Sequence, residues 1–393
     1  MKITAIKPFI YYPGSGKNLI FCRVDTDEGI HGWGESYVVS EKEQAVVDYI
    51  EAIAGYIVGR SPFNIKHSGT ALFDDFAQRR GSMEFFAAWS GIEIALWDII
   101  GKKAGLPVYN LLGGACRKKI RVYANGWGGR SIEERAKKAK EIIDSGFTAL
   151  KFDPFRGKWR SYISKKEEDY AVENIRAVRE AVGPHVDILV EVHRRLSPFH
   201  AIHFAERIMK YDPFWFEEPC PADNMNLIAE VKRNIHIPVV TGEALYSKYD
   251  FIDVLEKRAV DIVNPDICIC NGILGITQIA AMCEPYNIQV SPHNYNGMLI
   301  GMAATLQASA VMNNFLIAEF FVNMKPGCDE IATKAIKVEN GFAELPTEPG
   351  LGIDINMEEF EKKIRQGIKK SFSMSNVAGH EEEFPREEDY KYN

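Results

Sequence analysis

The spacing of apolar residues changes period along the chain, and the changes divide it. Residues 1–36 carry short apolar runs, ITAIKPFIYY, LIFCRVDTDEG and IHGWGE, with Asp27-Glu28-Gly29 turning between the last two. This pattern predicts a three-stranded meander. From Glu41 to Gly114 apolar residues recur every three or four positions, the helical period. The strongest such stretch, FFAAWSGIEIALWDIIGKKAG, closes on Lys102, Lys103 and Gly105, the residue types that suit a helix C-terminus. A meander followed by helices predicts a small α+β domain over residues 1–118.

After Lys118 short apolar strands alternate with amphipathic helices. The predicted strands are IRVYAN, ALKFD, DILVEV, FWFEE, PVVTGE, VDIVNPD, IQVSPH and FLIAEF. The first intervening helix opens at Ser131, with Glu134 completing a capping box, and stops near Gly146. Repeated strand–helix units predict a parallel sheet. Eight of them in about 200 residues, with no Gly-rich dinucleotide fingerprint after the first strand, predict a closed α/β barrel over residues 119–330. Residues 374–393 are acidic and poor in apolar residues, and predict a solvated extension.

Composition narrows the partners. With 46% hydrophobic and 26% charged residues the 393-residue chain has the make-up of an ordinary globular protein. A net charge of −7 offers no basic footprint for nucleic acid. No run approaches the roughly 18 apolar residues of a membrane span, and no signal-peptide pattern opens the chain. The seven cysteines form no C-x-x-C pair, so a zinc site or disulfide framework is not expected and a cytoplasmic location is.

Ionisable residues stand near the C-terminal end of strand after strand: Lys151, Glu191, Glu217, Glu243, Asp266, His293 and Glu319. The last six are separated by 23 to 27 residues, one strand–helix unit each, and should converge on one mouth of the barrel. Glu191, Glu217 and Glu243, from consecutive strands, would repel one another unless a cation sat between them. An all-carboxylate set suits Mg²⁺, with Mn²⁺ as a substitute, and disfavours zinc or copper. In FEEP either Glu217 or Glu218 could be the ligand; the even spacing favours Glu217.

ALWDIIGKKAGLPVYNLLGG, VYANG, ALKFDPF, FEEP, TGE, NPD, SPH and EPGLGI occur in this order. In them the chain resembles the enolase superfamily, in its mandelate racemase branch, and particularly the D-gluconate and D-galactonate dehydratases, over nearly its whole length. The resemblance implies a (β/α)7β modified TIM barrel with an N-terminal α+β capping domain, to which residues 331–373 return, and a homo-oligomer. It implies Mg²⁺ ligands at Glu191, Glu217 and Glu243, an Asp266–His293 pair, and Glu319 near the carboxylate of a sugar-acid substrate. His193 matches the histidine that distinguishes the sugar-acid dehydratases, and period-two alternation places it on the same strand face as Glu191. Two departures stand out. The first ligand is Glu191 where Asp is more usual, and Lys151-Phe152-Asp153 lacks the second lysine of the racemases, which weakens racemisation.

The expected chemistry is abstraction of a proton beside a carboxylate followed by loss of the 3-hydroxyl as water. The enolase-superfamily pairing of a His or Lys base with Mg²⁺ is an established pattern. His293 is the expected base, with Asp266 fixing its tautomer; His193 is the expected acid, a role worth about 10²–10⁴-fold. Lys151 and a protonated Glu319 are expected to flank the substrate carboxylate. One of Arg194 and Arg195 should bind substrate and the other a barrel-end carboxylate, an assignment the sequence leaves open; Arg195, Asn125, Asn294 and Asp153 are the candidate contacts. The Gly-rich loop near residues 11–17 and Arg79-Arg80-Gly81 are candidate lids over the mouth. An epimerase or cycloisomerase using the same chemistry is the alternative; a non-catalytic sugar-acid-binding barrel would lack the acid or base, and both histidines are here.

Overall fold

In the computed structural model, which describes residues 1–156, 163–295, 297–364 and 367–369, the three runs at the start pair as an antiparallel meander. Its strands are β1 (Ile3–Tyr11), β2 (Leu19–Thr26) and β3 (His31–Ser36). Helices α1 (Glu43–Ile57), α2 (Ile65–Ala71), α3 (Met83–Ala104) and α4 (Val108–Leu111) follow. Gly105 ends α3 in the left-handed region, at φ +68°, where a residue without Cβ carries no steric penalty. The sequence of β3, HGWGE, explains how α3 packs. A Cβ at Gly34 would lie 1.7 Å from the Gly91 carbonyl oxygen, and one at Gly32 would lie 2.1 Å from that of Ala95. Only glycine lets the helix lie directly on the strand, while Trp33 between them points to the other face.

The second unit is the barrel. Strands β4 (Lys119–Asn125), β5 (Ala149–Phe152), β6 (Asp187–Glu191), β7 (Trp215–Glu217), β8 (Val239–Thr241), β9 (Ile262–Val263) and β10 (Gln289–Val290) pair in parallel in chain order. Strand β11 (Ala318–Phe321) pairs with β4, and a parallel bridge from Val290 to Phe315 closes the ring. Helices α5 (Ile132–Asp144), α6 (Lys165–Val182), α7 (Pro198–Ile208), α8 (Met225–Asn234), α9 (Phe251–Glu256), α10 (Gly272–Cys283) and α11 (Ile300–Val311) alternate with the strands. The capping box at Ser131 forms with a shift: Ser131 Oγ accepts from the Glu134 amide, but the Glu134 carboxylate reaches back to Arg130 N. Tyr123, Leu189, Trp215, Val240, Ile262 and Ile317 pack together and fill the barrel interior.

After β11 a short helix, α12 (Lys325–Ile331), replaces a full eighth unit. The hairpin β12 (Val338–Glu339) and β13 (Phe342–Glu344) adds to the start of β4. The chain then crosses to the capping sheet, where Phe360 of α13 (Met357–Ile364) packs fully buried against Phe9, Tyr11, Phe21 and Trp33. The acidic stretch 374–393, expected as a solvated extension, lies outside the described residues. All seven cysteines are unpaired, and no described helix is long and apolar enough to cross a membrane.

Candidate active site

The residues of the site stand two positions beyond the barrel's inner plug. Tyr123, Leu189, Trp215 and Ile317 point inward, and Asn125, Glu191, Glu217 and Glu319 follow on the same strand faces at the C-terminal mouth. Ala149 leads in the same way to Lys151, and Ile262 to Asn264 and Asp266. The hydrophobic plug therefore sets the register of the polar layer above it.

Glu191, Glu217 and Glu243 each offer a carboxylate oxygen, and these atoms lie within 4.8 Å of one another. Glu218 turns away: its Oε1 accepts from Thr241 Oγ1 at 2.7 Å and Gly242 N at 3.0 Å. Lys151, 2% exposed, sits beneath the cluster. Its Nζ donates to Glu217 Oε1 at 2.7 Å and lies 2.9 Å from Glu319 and 3.4 Å from Glu191. Trp215 Nε1 and Asn264 Nδ2 also donate to Glu217. Burial, reinforced by repulsion from Glu191, nonetheless pushes the Glu217 carboxyl well above the usual range. Glu243 goes the other way: burial would raise it, but His293 and Arg194 beside it hold it well below. Glu191 Oε2 is buried and accepts no hydrogen bond. Three converging carboxylates, one with a buried oxygen that accepts no hydrogen bond and has only the Lys151 ammonium 3.4 Å away, fit a hard divalent cation with oxygen ligands.

Two His–carboxylate pairs flank the cluster. His293 Nδ1 lies 2.8 Å from Asp266 Oδ2, both residues buried, and Cys268 N holds the other Asp266 oxygen at 2.8 Å. Because carboxylates only accept, each ring nitrogen is assigned a proton in this arrangement, Nδ1 toward Asp266 and Nε2 toward Glu243 at 3.1 Å, with Glu319 3.4 Å from Nε2. Burial lowers the His293 pKa, but the Glu319 and Glu243 charges outweigh it and hold the ring well above its ordinary value.

His193 forms the second pair, with Nδ1 2.8 Å from Asp153 Oδ2 and a half-exposed side chain. Its backbone is left-handed, φ +53°, and its amide donates to Glu191 Oε1 at 2.7 Å, so the turn that ends β6 ties the histidine to the cluster. Burial opposes protonation, but Glu191 and Asp153 prevail and raise its pKa.

The other expected site residues bond among themselves. Asp153, an expected substrate contact, has its carboxylate against His193, Arg195 and Phe155 N. Arg195 lies against Asp153 as an ion pair, while Arg194 takes the barrel-end carboxylates Glu243 and Glu218. Glu319 was expected protonated. Burial favours that, but Lys151 and His293, with donors from Asn294 N and Asn125 Nδ2, lower its pKa and make it an acceptor. Asn125 is thus bound to Glu319, and the fully buried Asn294 side chain donates to Gly297 O within its own turn. Arg79 pairs with Asp74 and lines a cleft of about 900 Å³ between α2, α3 and α10 that contains none of the triad or dyad residues.

The loop at 11–17 does reach the mouth. Lys17, 5% exposed, lies 3.2 Å from the centre of the Tyr295 ring and 5.2 Å from that of Tyr37, and the Tyr295 ring also packs against Tyr37, His293 and Phe321. Sequence reading missed Tyr37, Tyr295 and Asn264. NPD carried a signal for Asn264, two residues before Asp266 on an inward-facing alternation; nothing local marked the tyrosines.

Comparison with known proteins places this geometry. Residues 13–113 match the family described as mandelate racemase/muconate lactonizing enzyme, N-terminal domain, and residues 134–359 match the enolase C-terminal domain-like family. The chain is 33% identical over 354 residues to the D-gluconate/D-galactonate dehydratase of Picrophilus torridus, covering 90% of each. It is 34% identical to the D-gluconate dehydratase of Thermoproteus tenax, covering 87% of this chain and 69% of that one. The D-xylonate dehydratase of Haloferax volcanii is 30% identical, over 88% of this chain and 86% of its own. Among solved structures, a mandelate racemase/muconate lactonizing enzyme-like protein from a Roseovarius species superposes with a TM-score of 0.88 at 32% identity, covering 95% of this chain and 98% of that one.

Proposed function

The chain belongs to the mandelate racemase/muconate lactonizing enzyme family of the enolase superfamily, and from its likeness to the dehydratases named above we propose that it dehydrates aldonates of five or six carbons to 2-keto-3-deoxy acids. The observation that carries this reading is the pair of histidines, each backed by its own aspartate, on strand ends either side of one carboxylate triad. A racemase needs two bases facing one carbon; an elimination needs a base at C2 and an acid at the departing hydroxyl.

Glu191, Glu217 and Glu243 would hold Mg²⁺, which when bound supplies positive charge for the substrate carboxylate as C2 loses its proton and favours the neutral, basic form of His293. His293 Nε2 takes that proton, and Asp266 stabilises the ring as it becomes charged. Lys151, buried and with its pKa held well above the ordinary value by Glu217 and Glu319, offsets the charge that gathers on the carboxylate. His193, whose pKa is raised, gives the proton from Nε2 to the leaving 3-hydroxyl, while Asp153 holds Nδ1. Glu319 accepts from Lys151 and Asn125 and keeps the ammonium aimed at the mouth.

Incubation with D-gluconate, D-galactonate and D-xylonate in Mg²⁺, read as semicarbazone absorbance, tests the reading. Product from at least one aldonate, abolished by EDTA and restored by Mg²⁺ or Mn²⁺, is expected. No 2-keto acid from any of them would contradict it.

A further inference from the structure

An α-helix leaves its first four N–H groups without partners, and a Ser, Thr, Asp or Asn at its start usually accepts from them. Helices α5, α6, α7 and α8 of the barrel follow this rule, capped by Ser131, Ser164, Ser197 and Asn224. Helix α9, begun by Asp250, makes no side-chain cap. Neither do α10 and α11, begun by Asn271 and Leu299.

The capping domain supplies what these two helices lack. Ser90 Oγ accepts from Asn271 N at 3.0 Å and Gly272 N at 3.2 Å, while donating to Phe86 O. Glu93, one turn further along α3, accepts from Ile273 N at 2.8 Å and Leu274 N at 3.0 Å. All four free N–H groups of α10 are therefore taken by two side chains of another domain. A Cβ at Gly272 would stand 1.9 Å from Glu93 Oε2, so the close approach requires glycine there. Glu35, at the end of β3, accepts from Gly301 N at 2.8 Å at the start of α11. Glu35, Ser90 and Glu93 are all buried.

The two helices capped in this way are those that follow Asp266 and His293. Five residues separate Asp266 from α10, and Tyr37 N also holds that tract, at Cys268 O, 3.0 Å away. Resting on the dehydratase reading above, we propose that Glu35, Ser90 and Glu93 are positioning residues: the capping domain, by completing α10 and α11, fixes the Asp266–His293 pair in its working geometry. The metal triad, on β6 and β7 and just past β8, is independent of these three side chains. Both carboxyls are buried, and the hydrogen bonds from Ile273 N, Leu274 N and Gly301 N make them close-fitted acceptors, while burial pushes both up to about 8.

Ser90→Ala and Glu93→Gln test this, with Ser131→Ala as a control that removes an ordinary cap from α5. The readouts are kcat and KM on the best aldonate, Mn²⁺ affinity by calorimetry, and the His293 ring resonances of ¹⁵N-histidine-labelled protein, assigned with His293→Asn. We expect kcat to fall about 10-fold or more with KM and Mn²⁺ affinity within about 3-fold, and the His293 resonance to move, in Ser90→Ala and Glu93→Gln but not in Ser131→Ala. An unmoved His293 resonance with unchanged kcat would overturn the proposal, as would equal effects in Ser131→Ala or a loss that tracks Mn²⁺ affinity. Should the wild type act on no aldonate, the dehydratase reading fails, and the resonance alone decides whether the capping domain positions His293.

Discussion

At the scale of single residues, the site assigns different work to similar side chains through their neighbours. Asp266 and Asp153 each hold a histidine Nδ1 at 2.8 Å, yet His293 is buried and His193 is half-exposed. The buried ring suits a base shielded from water; the exposed one suits an acid that must reach a leaving hydroxyl. Asp153→Asn is expected to slow water loss by about 10²-fold, approaching the about 10²–10⁴ of removing the acid itself, with KM little changed in steady-state assays. Glu191→Gln is expected to weaken Mn²⁺ binding by about 10-fold or more by calorimetry, because it removes a charged ligand whose second oxygen has no other hydrogen bond. The strand-end ladder Glu191, Glu217, Glu243, Asp266, His293 and Glu319 was legible in the sequence because strand–helix units repeat at nearly constant length. The partner of Asp153 was not, since its neighbour across β5 and β6 depends on the left-handed turn at His193.

At the scale of elements, the C-terminal segment secures the capping domain from below. Phe360 of α13 inserts among Phe9, Tyr11, Phe21 and Trp33, and no periodicity in the sequence announced that docking. Phe360→Ala should cost about 3–5 kcal/mol, the usual range for emptying a large aromatic site, measured by chemical denaturation. Asp354 ties the same segment to α3 and β3. Burial would raise its pKa, but His31, 3.6 Å away, and the Lys102 ammonium, which donates to it at 2.8 Å, depress it strongly. A depressed acid adds stability above its unfolded pKa of about 3.9 that is lost as pH falls through the folded value. Asp354→Asn should therefore narrow the difference in melting temperature between neutral pH and pH 3, an effect tempered by the residue's partial exposure. The helices themselves were legible from their period, but the glycines of HGWGE reveal close packing only once α3 is placed on β3.

At the scale of the whole molecule, the barrel carries the charges and the capping domain encloses and steadies them. Lys17 from the first loop reaches Tyr295 at the mouth, while Ser90, Glu93 and Glu35 hold the helices behind His293. The eightfold alternation of strands predicted the barrel well, because each unit follows local rules. The joining of the two units was hidden, because it depends on residues more than 180 positions apart, such as Ser90 with Gly272. The account turns on the division of labour between the two histidines, and isotope exchange at C2 of a turned-over aldonate in D₂O with Mg²⁺ separates their roles directly. His193→Asn should keep solvent deuterium entering C2 while 2-keto-3-deoxy product is lost, and His293→Asn should lose both. Dehydration that survives in His193→Asn, or C2 exchange that survives in His293→Asn, would contradict the assignment of acid and base.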